Sequence, residues 1–388
     1  MMIYLDNSAT TKMCDEALSA FVNAARTDFG NPSSRHAVGD AARRILEASR
    51  ETLLRALGEK DGTVIFTGSG SEADNLAILG RAAAKERYRR GAKILTTAGE
   101  HAAVKEPLRR LEAEGFRIAV IPTKNGELDR EFIEREMTPD VILVSAMAVN
   151  NETGAVYDLP YLSRVMKAKS PEAVLHIDAT QAFMQMPFSV RATGASMVTV
   201  SAHKIEGPKG VGALYIDKEL LKTRGLAPHI LGGGQEGGLR SGTENLPGIA
   251  SLAAAVEYRK KNLASFFEKT DGLRRYLLMR LSHDARLAEV RPILPTVASP
   301  HILPLILPDI KSETALNFLS AKGICVSSGS ACSSHDKNLS SAYLAFGLSE
   351  READTTIRVS LSHTNEKEEL DTFLGVLAEA VSTLARIR

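Results

Sequence analysis

Between residues 64 and 216 the chain repeats one pattern: a short apolar run, a polar turn, and often a stretch of helical periodicity before the next run. The apolar runs fall at 64–67, 93–97, 141–147, 174–178, 197–200 and 211–216. Helical stretches at 76–85, 99–114 and 159–169 lie between them. Strands alternating with helices at this rate predict an α/β fold, a mostly parallel sheet with helices on both faces. Open sheets of this kind place their ligands at the carboxyl ends of the strands, so the polar residues that close each run are the candidates for chemistry.

The remainder is also patterned. Helical runs are predicted at 16–23, 37–57 and, beyond Pro247, as far as 282. Strands at 297–307 and 323–326, with helices at 312–322 and 367–386, read as a second, smaller unit. A chain of 388 residues has length for two domains. Its net charge of +1 offers no field to draw nucleic acid or an anionic membrane, which points to small-molecule chemistry. The longest apolar run, 141–149, is too short to span a bilayer, and the first residues lack a basic and apolar leader, so the expectation is a cytoplasmic protein. Cys14, Cys325 and Cys332 have no metal-type spacing, which argues against structural zinc and a disulfide framework.

Lys204 follows the run at 197–200 and precedes the breakers Gly207, Pro208 and Gly210. A loop lysine is ordinarily solvated. One held in a turn at a strand end can be partly desolvated, which lowers its pKa until the free amine attacks an aldehyde to form a Schiff base. Asp178 ends the run at 174–178, where an aspartate serves as a turn or cap residue or pairs with a protonated pyridine nitrogen. Gly68 to Asn75 leads from a strand into a helix. Glycines such as Gly70 permit close backbone approach there, and Ser71 can cap the helix and bind a phosphate oxygen. No Gly-Lys-Ser/Thr follows, which excludes a Walker-type nucleotide loop.

His101 and Asn151 follow further strands. Residues 231–243 are dense in glycine, a hinge or a site of close backbone approach. Arg358 lies within an apolar strand and needs an anion, either a structural partner or a ligand carboxylate. Cys332 stands among serines and glycine, in what reads as a mobile, solvated loop suited to an accessible thiol, with His335 nearby. Cys325, within an apolar run, reads as core, and Cys14 as a helix start.

Ser201-Ala202-His203-Lys204, the breakers behind it, and His176-Ile177-Asp178-Ala179-Thr180-Gln181 before it together resemble the class V aminotransferases, pyridoxal phosphate enzymes of fold type I. Ser327-Ser328-Gly329-Ser330-Ala331-Cys332 is similar, residue by residue, to the nucleophile loop of the cysteine desulfurases in that family. The resemblance extends from Tyr4 to Ser360. It implies a large domain, 14–255, with a mostly parallel seven-stranded sheet, and a smaller α/β domain from 1–13 and 256–388.

For the site, the resemblance implies that Lys204 tethers pyridoxal 5'-phosphate, that Asp178 holds its ring nitrogen, and that His101 stacks on the ring and moves protons. Gly70, Ser71, Ser201 and His203 would hold the phosphate. Gln181 and Asn151 would bond the ring oxygen, Asn151 and Arg358 the carboxylate of L-cysteine, and Cys332 would take the sulfur as a persulfide. Thr243 would reach a phosphate across a homodimer interface, near which the 30–36 loop also falls. Gly237 departs from the family, which often has arginine there. A sulfur acceptor follows, such as an iron-sulfur scaffold or tRNA-thiolation enzyme, with no direct contact to nucleic acid or membrane. A selenocysteine lyase or an aminotransferase is the alternative.

Overall fold

The computed structural model describes residues 2–84, 91–329 and 340–386. Its strands, in chain order, are β1 (Ile3–Tyr4), β2 (Thr63–Thr67), β3 (Lys93–Thr97), β4 (Arg117–Ile121), β5 (Thr123–Lys124), β6 (Glu127–Leu128), β7 (Val141–Met147), β8 (Val174–Asp178), β9 (Met197–Ser201) and β10 (Gly212–Ile216). Then come β11 (Arg291–Pro292), β12 (Ile302–Ile306), β13 (Ile324–Cys325), β14 (Ser327–Ser328) and β15 (Thr356–Ser360). The large sheet has seven strands in the order β2-β10-β9-β8-β7-β3-β4. All neighbours are parallel except β10, which runs against both β9 and β2.

Burial on both faces explains why these strands read as unbroken apolar runs. Val64, Leu95, Val144, Leu175, Val198 and Ala213 pack into one core, on the face toward α2 (Ala37–Ala56). Ile65, Ile94, Leu143, Val174, Met197 and Leu214 pack into the other, against α3 (Gly70–Ala83) and α4 (Ala102–Ala113). Toward the carboxyl ends this second face turns polar, carrying Ser145, His176, Asp178, Thr199 and Ser201, all buried.

The helix α5 (Leu246–His283) begins in the first core through Leu246, Ile249, Leu252 and Val256, and ends in a third through Leu273, Leu277 and Leu281. That third core gathers under the four-stranded antiparallel sheet β11-β12-β15-β14. Ile3 and Leu5 join it from the other end of the chain, where β1 pairs in parallel with β13.

Several expectations shift. The helix expected from 76 starts at Gly70, because its cap is Ser69, whose Oγ accepts from the Glu72 N–H at 3.1 Å. Ser71, expected to cap, is exposed. The edge strand β4 carries exposed positions that hid it from a search for apolar runs. The expected strand at 323–326 is two short ones serving different partners, β13 on β1 and β14 on β15. Cys325 is partly exposed rather than core, and Cys14 stands at the N-cap of the helix Asp15–Arg26.

Candidate active site

The carboxyl ends of β2, β3, β7, β8 and β9 open on one edge of the sheet, so the turns after them share a space. Lys204 ends a single 3₁₀ turn after β9. Its Nζ donates to the carbonyls of Ser8 and Ala9 at 2.7 and 2.8 Å. The segment 6–11 that supplies those carbonyls is stitched to the lysine turn. Thr11 N donates to the His203 carbonyl at 2.9 Å, and Glu206 N donates to Thr11 Oγ1 at 2.7 Å. Gln181 Nε2 donates to the same Ser8 carbonyl at 2.9 Å, and its Oε1 lies 3.3 Å from His301 Nε2.

Asp178 is buried at the end of β8, with Oδ1 accepting from Thr180 N at 2.9 Å. His101 caps α4, its Nδ1 accepting from Ala103 N at 3.1 Å, so the neutral ring carries its proton on Nε2. Burial lowers the His101 pKa, Asp178's charge opposes that, and Lys204's charge reinforces it. Both charges therefore lie within electrostatic reach of His101. His203, with Nδ1 3.2 Å from Thr10 Oγ1, is brought down to about 4 by burial and by the charges of Lys204 and Lys209.

Beneath these residues lie two buried acids and one buried imidazole that no apolar run marks out. Ser145 Oγ and Thr199 Oγ1 flank His176 at 2.9 and 3.0 Å, and Asp74 Oδ1 lies 3.5 Å from its Nε2. Burial takes His176 down to about 3 and Asp74 well above the carboxylate range, with Asp178's charge adding to the latter. Glu100 Oε1 accepts from Thr97 Oγ1 and from Met147 N, and burial pushes its carboxyl up to about 8. A glutamate directly before His101 in a strand-to-helix turn was the signal available for it.

An aldehyde bearing a phosphate and a ring nitrogen fits this arrangement. The start of α3 approaches so closely that a Cβ at Gly70 would stand 3.2 Å from Ser201 Cβ and 3.5 Å from Thr180 Oγ1. A fourteen-residue helix presents its first amides there, a setting for an anion. The donor set suits the rest: an amine at Lys204, a carboxyl at Asp178, an imidazole at His101.

Arg358 is buried in β15. Its Nη1 donates to the Asn151 carbonyl at 2.9 Å and its Nη2 to Asp6 Oδ1 at 3.0 Å, while Nε has no partner among the described residues. The anion that the sequence demanded is thus Asp6 in part, with Nε left without a partner among the described residues. Asp6 also feels the charge of Lys204, which joins this side to the lysine turn.

The glycine-dense stretch is anchored rather than a free hinge. Glu236 receives Arg50 at 2.7 Å and Phe66 N at 2.9 Å, and Arg240 Nε donates to Glu72 Oε1 at 2.7 Å beside the start of α3. Gly237 takes a left-handed φ of 65°, a conformation that strains an arginine side chain's backbone. Thr243 is exposed on this loop. Cys332 and His335 lie outside the described residues.

Residues 3–373 match the family model for Aminotransferase class-V. A cysteine desulfurase IscS of Clostridium botulinum is 36% identical over 383 residues, covering 98% of this chain and 94% of its own. A solved NifS-like protein, 34% identical, superposes with a TM-score of 0.90 over 99% of this chain and all of its own. A solved structure of SspA in complex with cysteine, 28% identical, superposes at 0.76 over 92% of this chain and 98% of its own.

Proposed function

The chain belongs to the class V aminotransferases and, among them, to the cysteine desulfurases, and from that premise we propose that it takes sulfur from L-cysteine with pyridoxal 5'-phosphate, releasing L-alanine. The observations that carry the reading are that His101 feels the charges of both Lys204 and Asp178, and that Ser201 and Thr180, from the turns bearing those two residues, lie against the start of α3. When bound, the cofactor supplies an electron sink for the substrate's α-carbon. Lys204 Nζ would hold its aldehyde carbon and, as a free amine, would carry the substrate's α-proton. Asp178 would hold the proton on the ring nitrogen, and His101, with its own proton on Nε2, would be available for proton transfer beside the ring.

Gly70, Ser71, Ser201 and His203 bind the phosphate, joined by Thr243 of a second copy. Gln181 and Asn151 orient the ring oxygen. Arg358 holds the substrate carboxylate, a role supported by its Nε, which has no partner among the described residues. The thiolate of Cys332 forms an S–S bond to the substrate sulfur as the carbon–sulfur bond breaks. The released carbon gains a proton to become alanine, and the protein keeps a persulfide.

A homodimer is supported by the apolar residues exposed at the two loops expected to face a neighbour, Phe29 at 71% and Leu231 at 79% exposure. Among the described residues no helix is long and apolar enough to cross a membrane. A cytoplasmic enzyme delivering sulfur to an iron-sulfur scaffold or a tRNA-thiolation enzyme fits this chemistry. Cys332→Ser tests the reading. The variant should keep the absorbance of bound pyridoxal phosphate and lose alanine formation from cysteine; alanine at the wild-type rate contradicts it.

A further inference from the structure

A buried arginine that this mechanism does not use grips the turns that follow both Asp178 and Lys204. Arg259 lies on α5, only 4% exposed, and its guanidinium meets four acceptors. Nε and Nη2 donate to the Met184 carbonyl at 3.0 and 2.7 Å, and Nη2 also donates to Gln185 Oε1 at 2.6 Å. Nη1 donates to Glu206 Oε1 at 3.4 Å and to His363 Nδ1 at 3.3 Å. Met184 and Gln185 belong to the turn that follows β8 and Asp178, and Glu206 to the turn that bears Lys204.

Gln185 closes the link between the two turns. Its Oε1 accepts from Arg259, while its Nε2 donates to the Lys204 carbonyl. The backbone on either side needs holding. Met184 and Glu206 take left-handed φ angles of 56° and 64°, a region that residues of their type seldom occupy. Such residues keep that conformation only where their surroundings impose it. Here the Met184 carbonyl and the Glu206 carboxyl both receive the same guanidinium. Glu206 is held further through its N–H, which donates to Thr11 Oγ1 at 2.7 Å, and its carbonyl, which accepts from Cys14 N at 3.0 Å.

We infer that Arg259 is a positioning residue for cofactor attachment: by tying the turn after Asp178 and the turn bearing Lys204 to one guanidinium, it fixes where the amine stands relative to the carboxyl that receives the ring nitrogen. The inference rests on the cofactor placement proposed above. A rigid ring bound at its nitrogen presents its aldehyde at one place, so the amine must already stand there. Misplacement by about 1 Å costs on the order of 100-fold in a bond-forming step of this kind.

The test compares two ligands on the whole chain stripped of cofactor. One is pyridoxal 5'-phosphate. The other is 4'-deoxypyridoxine 5'-phosphate, which keeps the phosphate and the ring nitrogen and has no aldehyde for Lys204. Dissociation constants are measured by calorimetric titration for wild type, Arg259→Met, Arg259→Lys and Gln185→Met. Arg259→Met should raise Kd for pyridoxal 5'-phosphate by about 30-fold or more, while Kd for the deoxy compound stays within about threefold of wild type. Gln185→Met leaves the arginine in place and severs its link to the Lys204 carbonyl. It should raise the first constant by about fivefold and leave the second within about twofold. Arg259→Lys should fall between wild type and Arg259→Met, because a single ammonium does not span the acceptors that the fork reaches.

Equal weakening of both ligands would overturn the inference, since it marks a general loosening of the site. Unchanged affinity for pyridoxal 5'-phosphate in Arg259→Met would overturn it too. Should that variant fail to fold, Gln185→Met decides, and a Kd for pyridoxal 5'-phosphate within about twofold of wild type counts against the inference. Borohydride reduction of the wild-type holoenzyme, read by peptide mass spectrometry, tests the premise separately. Cofactor fixed on Lys204 upholds the placement. Cofactor fixed on another lysine, or on none, brings down the underlying reading and this inference with it, before any substitution is made.

Discussion

Two halves of the site bury charge in different company. At the ends of β3, β8 and β9, burial suppresses it: His176 and His203 are brought down to about 3 and 4, Glu100 is raised to about 8, and Asp74 is raised well above the carboxylate range. On the side closed by β15, burial also raises the carboxyls of Asp6 and Glu152, but there the charge of Arg358 works against the rise. Arg358 pairs with Asp6, and Glu152 accepts from Ser340. The first half suits chemistry in which one amine and one imidazole handle a proton among mostly neutral neighbours. The second suits the seating of an anion, because its guanidinium Nε has no partner among the described residues.

The largest effect belongs to the first half. Lys204→Ala should lower alanine formation from cysteine by about three orders of magnitude or more, since tether and proton carrier are lost together. Retention of even a tenth of the activity would detach the amine from the chemistry.

Next is the matched side. Arg358→Lys should raise KM for cysteine about 10-fold or more, with a smaller change in kcat, because an ammonium cannot reproduce the planar fork. Cysteamine, which lacks the carboxylate, should bind wild type and variant alike, as measured by titration of the holoenzyme. A difference between them for cysteamine would return Arg358 to a purely structural role with Asp6.

Glu100→Gln sharpens the charge-suppressed side. Glu100 holds a proton up to about pH 8 in the folded chain, while the unfolded chain releases it near pH ~4.3. The folded state therefore binds more protons across that window, and its stability falls as pH rises by about 1 kcal/mol per pH unit. Below about pH 6.5 buried His176 and half-buried His203 have the opposite sign, because the unfolded chain takes up protons that they do not accept. Urea unfolding at pH 6.5 and 8 should thus show a shallower loss for the glutamine variant, by about 1 kcal/mol per pH unit. Equal slopes would mean that Glu100 is ionised in the fold.

The smallest effect separates two neighbouring serines. Ser69→Ala should cost about 1 kcal/mol in urea unfolding through loss of the α3 cap, and Ser71→Ala less than about 0.5 kcal/mol.

The half of the site that suppresses charge was largely legible in the sequence because its residues come from contiguous stretches. Each of Asp178, Lys204 and His101 closes or follows an apolar run, and the runs predict the sheet. What lay beneath was harder to see. Asp74 points inward from a helix whose start was misplaced by six residues, and a buried His176 interrupts no periodicity that a strand must keep. The matched half was legible only at Arg358. Its partners, Asp6, the Asn151 carbonyl and the Glu152–Ser340 pair, are brought in from segments up to 352 residues apart. No local pattern encodes a contact between the first strand and the last. Cys325 misled for a related reason: an apolar neighbourhood in sequence became a two-residue strand at the edge of a small sheet.

The measurement that tests the account most directly is mass spectrometry of the protein after brief incubation with cysteine and no acceptor. One additional sulfur atom on the peptide containing Cys332, absent when Lys204 is alanine, is the predicted result. Alanine release with no sulfur retained on that peptide would contradict it.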